Sequence, residues 1–135
     1  MSVYLIRHGI AQNFADTDFE RELTTEGRIK LRDTFEVFAD EIGKTKIKVY
    51  SSPLIRAVQT AEILCDFLNC EFEISDWLGY ESYVDRVRKL KEDKDINYIL
   101  VGHEPNISDC IYRITGKVEI ISRGSIHIIK NAEIK

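Results

Sequence analysis

The sequence predicts an α/β fold with three layers, in which helices cover both faces of a mostly parallel central sheet. Short apolar runs predict strands that are buried on both faces. The longer segments between them carry apolar residues at helical spacing, and the two kinds of segment alternate along the chain. Such alternation is typical of a sheet wound with helices on both sides. Because the 135 residues contain no linker or repeat, we expect one domain that spans residues 1–135.

Four elements are predicted in the first half of the chain. Residues 3–6 form a short apolar run that predicts the first strand, and residues 24–42 carry the apolar spacing of a helix. A second strand is predicted over residues 47–50. Ser52 is a good N-cap and Pro53 suits the first helical position, so the second helix is predicted to begin there. The apolar side of this helix consists of Leu54, Val58, Ala61, Cys65 and Leu68.

The second half of the chain continues the alternation. It predicts strands over residues 71–74 and 98–101, with a short charged helix over residues 82–93 between them. Pro105 is predicted to open the last helix. The apolar side of that helix consists of Ile107, Ile111 and Ile114.

The C-terminal segment predicts a β-hairpin. Residues 118–121 and 125–129 are apolar runs on either side of Arg123 and Gly124, which suit a turn. His127 alternates with apolar neighbours within the second run. We therefore interpret His127 as a structural histidine rather than a site residue.

Composition and charge exclude several classes of protein. No apolar run reaches the roughly 18 residues that a membrane-spanning helix needs. Residues 1–6 lack a basic leader, so we interpret them as part of a strand and expect a cytoplasmic protein. The chain has 19 basic and 23 acidic side chains, a net charge of −4 and a pI near 5.4. This balance gives no chain-wide electrostatic footprint for nucleic acid, and we expect neither nucleic acid nor a membrane as partner.

The cysteines and the other metal-ligating residues show no ligand spacing. Cys65, Cys70 and Cys110 are odd in number and form no CxxC motif, so we expect reduced thiols at helix or core positions. The sequence leaves open whether Cys65 and Cys70 pair. No carboxylate or Cys/His cluster has the spacing of a metal site, so we expect no metal and no cofactor.

Three predicted strand ends carry residues that are suited to binding an anion. In open α/β sheets, ligands bind beyond such ends. The three segments are Arg7-His8-Gly9, Ser51-Ser52-Pro53-Leu54-Ile55-Arg56 and Gly102-His103-Glu104. Arg56 falls about one turn into its helix, and helical side chains lean toward the N-terminus, so its guanidinium can reach the same edge. Two imidazoles, two guanidiniums and helix N-termini at one edge predict an anion site that contains a nucleophile.

These segments resemble the motifs of the histidine phosphatase superfamily, whose fold is phosphoglycerate mutase-like. Arg7-His8-Gly9 after the first strand is similar to its RHG signature. The pattern SSPLxRAxQTA over residues 51–61 is similar to its second motif, and Gly102-His103 is similar to its third. The Arg-x-Leu-Thr segment over residues 21–24, together with the short chain, resembles the SixA-type phosphohistidine phosphatase branch.

The resemblance implies a division of roles among four residues. It implies that His8 is the nucleophile, which attacks phosphorus and becomes phosphorylated. It implies that Arg7 and Arg56 clamp the phosphoryl oxygens, and that His103 completes the pocket as a protonated partner or donor. Because guanidiniums neutralise the charge in this scheme, it requires no metal.

Four further residues are candidates with open alternatives. Arg21 matches a family position that often faces the pocket, or is a solvated arginine. Asn13 and Asn106 are candidate phosphate ligands, or else a turn residue and a first-turn helix residue. Larger members of the superfamily carry a mid-chain carboxylic acid that protonates the leaving group, and Glu81 is the candidate for it here. The alternative is a solvated glutamate, because the SixA-type branch lacks this acid and the P–N bond of phosphohistidine is labile.

The resemblance and the residues together leave three functional hypotheses. The first is a metal-independent phosphatase that forms a phosphohistidine intermediate, acts on phosphohistidine in a protein and releases inorganic phosphate. The second keeps this mechanism but takes a small phosphomonoester such as a sugar phosphate. The third is a non-catalytic phosphate-binding module, which the complete set of two histidines and two arginines disfavours because a binder needs no nucleophile.

Overall fold

The computed structural model describes residues 1–90 and 93–134. Within these residues the strands are β1 (Ser2–Arg7), β2 (Ile47–Ser51), β3 (Phe72–Ile74), β4 (Asn97–Gly102) and β5 (Ile126–Lys130). The helices are α1 (Thr25–Ile42), α2 (Ile55–Leu68), α3 (Trp77–Tyr80), α4 (Val84–Leu90) and α5 (Asn106–Thr115). Short 3-10 turns lie at Asp18–Glu20 and Asn131–Glu133. The five strands form one sheet in the order β3-β2-β4-β1-β5, which confirms the predicted α/β fold.

The strand register brings the three site-bearing strand ends together. β1, β2, β3 and β4 run parallel, and β5 pairs with β1 in the antiparallel direction at one edge. Arg7 of β1 lies opposite Gly102 of β4, and Ser51 of β2 lies opposite Val101 of β4. The residues that follow β1, β2 and β4 therefore leave the sheet side by side.

Apolar side chains of the central strands alternate between two cores, one on each face of the sheet. On β1, Val3 and Leu5 belong to the core that contains α3, α4 and α5, whereas Ile6 belongs to the core that contains α1 and α2. All three side chains are fully buried. Burying a side chain of this size stabilises a fold by about 1.5–3 kcal/mol. The sheet is anchored on both faces, and its strand ends therefore hold defined positions.

The predicted first helix is confirmed within one residue. Thr24 is its N-cap, and its hydroxyl accepts a hydrogen bond from the Gly27 amide at 2.9 Å. Gly43 ends the helix with a positive φ of 61° and ψ of −153°, a backbone conformation that glycine adopts without a steric penalty. The buried stripe is the predicted one, with Leu31, Phe35, Phe38 and Ile42.

The predicted start of the second helix is wrong by two residues. α2 begins at Ile55 with Leu54 at the cap position, whereas the sequence predicted Ser52 as the cap. The Ser52 hydroxyl accepts a hydrogen bond from the Leu54 amide at 3.2 Å, but it also contacts His103. Pro53 and Leu54 therefore form a turn before the helix, and Ser52 belongs to the site.

The predicted C-terminal hairpin is also wrong in its first half. Residues 118–121 form no strand, and only Ile126–Lys130 joins the sheet, through β1. The backbone of residues 121–125 bonds instead to the first strand end, where the Gly124 amide donates to the carbonyls of Arg7 and His8 at 3.0 Å each. These contacts replace the cross-strand bonds that a hairpin would need.

The other elements predicted in the second half are observed with shifted ends: the strand predicted over residues 71–74 is the shorter β3, and the one predicted over residues 98–101 is the longer β4. The helix predicted over residues 82–93 is observed as α4, and residues 91–92 of that prediction lie outside the described residues.

The three cysteines are free thiols, with Cys65 and Cys110 buried, and the sulfur atoms of Cys65 and Cys70 lie 3.4 Å apart. None of the described helices combines the length and apolar character needed to cross a membrane.

Candidate active site

His8 lies in the turn directly after β1, where its ring is held in one tautomer. Nδ1 is 2.8 Å from the Gly9 carbonyl oxygen, and because a carbonyl only accepts, Nδ1 carries the hydrogen. Nε2 therefore presents a lone pair, as a nucleophilic imidazole must. A Cβ at position 9 would lie 2.7 Å from Cδ1 of Leu31, so glycine allows α1 to pack against this turn.

Arg56 lies in the first turn of α2, and its guanidinium reaches back to His8 as predicted from helix geometry. Nε lies 3.3 Å from His8 Nε2. Nη1 donates to the Asp18 carbonyl at 2.9 Å, and Nη2 lies 3.3 Å from the Asp18 carboxylate. Thr60 ties the helix to the turn, because its hydroxyl donates to the Arg56 carbonyl and accepts from the Gly9 amide at 3.1 Å. The guanidinium is thus fixed beside Nε2 of His8.

His103 follows β4 and lies beside His8, with 5.1 Å between the ring centroids. Its Nε2 is 2.7 Å from the Ser52 hydroxyl, and its backbone amide donates to the Tyr83 hydroxyl at 3.1 Å. Tyr83 is fully buried and donates to the Leu78 carbonyl. A Cβ on Gly102 would collide with the Tyr83 hydroxyl, so glycine is required at the end of this strand. Ser52 and Tyr83 together hold the His103 ring and backbone.

Arg7, His8, Arg56 and His103 all line one cavity of about 560 Å³. Its lining is Arg7, His8, Ala11, Asp18, Arg21, Leu54, Arg56, Gly79, Tyr80, His103, Glu104, Asn106 and Arg123. Four of these side chains are arginines, and two are carboxylates. The Asp18 carboxylate pairs with Arg21 at 2.9 Å and with Arg56 at 3.3 Å. The cavity therefore suits an anionic ligand with several oxygen atoms.

Comparison with known proteins assigns the chain to a family. The sequence model of the histidine phosphatase superfamily (branch 1) matches residues 3–79, which include the turn with His8 and the first turns of α2. The chain belongs to this superfamily. Membership of this superfamily makes it a phosphatase.

Individual histidine phosphatases resemble the chain over most of its length. The phosphohistidine phosphatase SixA homolog of Haemophilus influenzae is 24% identical, and the alignment covers 90% of this chain and 82% of that protein. The protein histidine phosphatase SixA complexed with tungstate superposes with a TM-score of 0.86 at 24% identity, covering 99% of this chain and 92% of that one. A mycobacterial glucosyl-3-phosphoglycerate phosphatase superposes with a TM-score of 0.74 at 16% identity, covering 99% and 94%. Both superpositions show a shared fold.

Burial and neighbouring cations keep both histidines of this phosphatase neutral. Burial lowers the pKa of His8 to about 3, and the adjacent His103, Arg56 and Arg7 also disfavour a charged ring. Burial lowers the pKa of His103 to about 4, with a further contribution from Arg56. Hydrogen bonding to Arg21 lowers the pKa of the Asp18 carboxyl, and Arg56 adds to this. At neutral pH both imidazoles are therefore neutral, and they lie among the arginines of the cavity.

These lowered pKa values predict a pH-dependent stability. In the unfolded chain both histidines have the ordinary pKa of 6.5, whereas in the folded chain the pKa is about 3 for His8 and about 4 for His103. At a pH between these values, the two histidines bind protons in the unfolded chain and stay neutral in the folded chain. The free energy of unfolding should therefore fall as the pH drops below 6.5, by up to about 1.4 kcal/mol per pH unit for each histidine. Urea unfolding at pH 7 and pH 5 measures this, with the double variant His8→Gln/His103→Gln as the comparison. Parallel pH dependence in both proteins would contradict the prediction.

The structure brings together six of the eight predicted site residues. Arg7, His8, Arg21, Arg56, His103 and Asn106 line the cavity. Asn106 donates its side-chain amide to the Glu81 carbonyl at 2.7 Å, so it supports the segment before α4. Asn13 and Glu81 are exposed and are not among the cavity-lining residues. For Asn13 and Glu81 a role in the site therefore stays a prediction.

Four residues of the site were missed by the sequence analysis. Asp18 and Arg123 line the cavity, and Ser52 and Tyr83 hold His103. Asp18 lies in a 3-10 turn and Arg123 in a loop, and neither segment carries a motif, so no sequence signal marked them. Ser52 lies within the second motif, and its place beside Pro53 made a helix cap the simpler interpretation.

Potential metal ligands do not cluster in residues 1–90 and 93–134, which the structure describes. Within these ranges no group of three or more His, Cys, Asp or Glu side chains is placed to hold a metal ion. Positive charge in the cavity comes from its arginines.

Proposed function

We propose that the protein is a metal-independent phosphohistidine phosphatase that acts on a phosphorylated protein through a phosphohistidine enzyme intermediate. The observation that carries this proposal is the His8 ring, whose Nδ1–H bonds to Gly9 while its Nε2 lone pair lies 3.3 Å from Arg56 Nε. A neutral imidazole nucleophile beside a fixed guanidinium is suited to attack on phosphorus. The proposal includes a cytoplasmic location, supported by the odd cysteine number, and no nucleic-acid partner, supported by the net charge of −4.

The proposed reaction has two displacements. In the first, His8 Nε2 forms a bond to phosphorus while the bond from phosphorus to the substrate nitrogen breaks, and the leaving imidazole keeps or takes up a proton. In the second, water forms a bond to phosphorus, the bond to His8 breaks, and inorganic phosphate leaves as the water proton passes to solvent. Arg7 and Arg56 bind the equatorial oxygens in both steps. A bound phosphoryl group also favours protonation of His103, which then donates a hydrogen bond.

The carboxyl groups of the cavity support a phosphoramidate over an alkyl ester. Asp18 is ionised and paired with Arg21 and Arg56, so it holds no proton to donate. Glu104 Oε1 accepts a hydrogen bond from the Ser108 amide at 2.7 Å, which holds this carboxylate at the start of α5. An alkoxide leaving group needs a general acid, whereas an imidazole leaves readily once protonated. The described lining therefore favours the more labile substrate.

A small phosphomonoester such as a sugar phosphate is the second candidate substrate. The cavity of about 560 Å³ is large enough for one, and Arg123 at its rim provides a further cation for a polar substrate. One protein that shares the fold is a phosphatase named for a sugar-containing phosphate, glucosyl-3-phosphoglycerate. This candidate requires that Glu104 or another carboxyl supplies the proton.

A substrate panel tests the proposal. We expect efficient hydrolysis of a phosphohistidine peptide and of an aryl phosphate, and slower hydrolysis of sugar phosphates by roughly 100-fold or more, the usual contribution of a general acid. Activity should persist in EDTA. Comparable kcat/KM for sugar phosphates and phosphohistidine would favour the second candidate, and a strict need for a divalent cation would contradict the metal-independent scheme.

Glu81→Gln is expected to leave kcat/KM unchanged on every substrate, because Glu81 is exposed and outside the cavity lining. The matched variant Glu104→Gln changes a carboxyl that does line the cavity. Measuring both variants on alkyl, aryl and phosphohistidine substrates locates any general acid. Loss of alkyl phosphate hydrolysis in Glu81→Gln alone would show that Glu81 is that acid and would overturn this assignment.

A further inference from the structure

A partly buried polar cluster on β5 and the segment before it takes no part in the proposed chemistry. His127 of β5 is only 8% exposed, and both of its ring nitrogens have partners. Nδ1 is 2.8 Å from the Glu119 carboxylate, and Nε2 is 2.7 Å from the Ser125 hydroxyl. The Ser125 hydroxyl in turn lies 2.6 Å from the Ser122 carbonyl. Through these bonds, His127 joins β5 to both ends of the segment 119–125.

The same segment holds the first strand end. The Ser125 carbonyl accepts from the Arg7 amide at 3.2 Å, and the Gly124 amide donates to the carbonyls of Arg7 and His8. The Ile121 carbonyl accepts from Arg7 Nη1 at 2.8 Å. Arg7 Nε is buried and has no hydrogen-bond partner among the described residues. The bond to Ile121 therefore carries much of the orientation of this guanidinium.

We propose that Glu119, Ser125 and His127 are positioning residues, which orient the Arg7 guanidinium through the backbone of residues 121–125. The inference rests on the proposed function, in which Arg7 binds the phosphoryl oxygens. Breaking the cluster leaves the Arg7 charge in place. It allows the Ile121 carbonyl, which orients the Arg7 guanidinium, to move. A displaced clamp loses transition-state contacts while the sheet and both cores remain intact.

A solely structural role predicts a different pattern of effects. Buried hydrogen bonds stabilise any fold, so loss of stability alone does not distinguish the two roles. A positioning role requires that the effect on catalysis passes through Arg7. Substitutions that act through one partner are non-additive with removal of that partner.

The test is a double-mutant cycle on oxyanion binding and catalysis. Ser125→Ala and Glu119→Gln are each combined with Arg7→Ala, and kcat/KM for an aryl phosphate and the affinity for tungstate are measured. Misplacing a catalytic contact by an ångström can cost about 100-fold, and for these single variants we expect a loss of roughly tenfold in both quantities. In the Arg7→Ala background the same substitutions should change neither by more than about twofold. Lys117→Gln is the control, because it breaks the nearby exposed Lys117–Glu133 pair.

The outcomes separate the positioning role from stability and from the proposed function. An equal loss in both backgrounds, or unchanged activity and tungstate affinity in either folded variant, would overturn the positioning role. Thermal unfolding of each variant shows whether it is folded, and Ser125→Ala removes only one hydroxyl. If the wild type hydrolyses no phosphorylated substrate while tungstate affinity still depends on Ser125 through Arg7, the proposed function fails and the positioning role stands.

Discussion

Replacing His8 by alanine is expected to abolish turnover on every substrate and to remove any acid-labile phosphoenzyme. Losing the nucleophile of a two-step reaction costs on the order of 10⁴-fold or more, because the arginines cannot act on a bond that never forms. The fold should persist, since the ring bonds only to its neighbour Gly9 and to Arg56 among the described residues. Rapid-quench labelling with a phosphoryl donor, followed by mapping of the labelled peptide, measures the intermediate directly.

The matched variant for this experiment is His103→Ala. Its ring lies 5.1 Å from His8 and lines the same cavity, so a general loss of site structure would affect both variants. His103→Ala should turn over slowly but still become labelled at residue 8. If His8→Ala turns over an aryl phosphate at near the wild-type rate, or if the label maps to His103, the proposed mechanism is wrong.

The convergence of the main site residues was predictable because it follows from regular structure. Parallel strands end at the same edge, so Arg7 at the end of one strand and His103 directly after another must lie close together. Helical side chains lean toward the N-terminus, which places Arg56 over the same edge, 3.3 Å from His8. These rules need only the strand and helix positions, which the apolar periodicity predicts.

Loop contacts were not predictable, because they depend on side chains that meet across long sequence separations. Asp18 bonds to Arg56, 38 residues away, from a 3-10 turn that has no apolar pattern. Residues 118–121 have the composition of a strand, yet they form none, and the Ile121 carbonyl accepts a hydrogen bond from Arg7, 114 residues away. The Glu81 candidate came from its position in the middle of the chain, and position alone does not say where an exposed loop places a carboxyl.

Arg56→Lys is expected to lower kcat by roughly two to three decades although it conserves the charge. Removing one preorganised donor from a transition state costs about 2.7–4 kcal/mol. All three guanidinium nitrogens of Arg56 donate hydrogen bonds: one to His8, one to the Asp18 carbonyl and one to the Asp18 carboxylate. A lysine ammonium is a single point of charge on a flexible stem, so it cannot hold these three directions at once. Steady-state kinetics on an aryl phosphate and the inhibition constants of phosphate and vanadate measure the loss.

The control for Arg56→Lys is the same substitution on an exposed arginine. Arg113 of α5 is 61% exposed and pairs with Asp109 at 3.3 Å, whereas the Arg56 side chain is 9% exposed. Arg113→Lys should leave kcat, KM and vanadate inhibition unchanged, because a lysine can make a solvated ion pair as well as an arginine can. In Arg56→Lys, vanadate should lose affinity by more than phosphate does, since vanadate resembles the transition state and the planar fork matters most there. Normal kinetics in Arg56→Lys would mean that its guanidinium is not the clamp, and the anion site would then depend on Arg7 and Arg21.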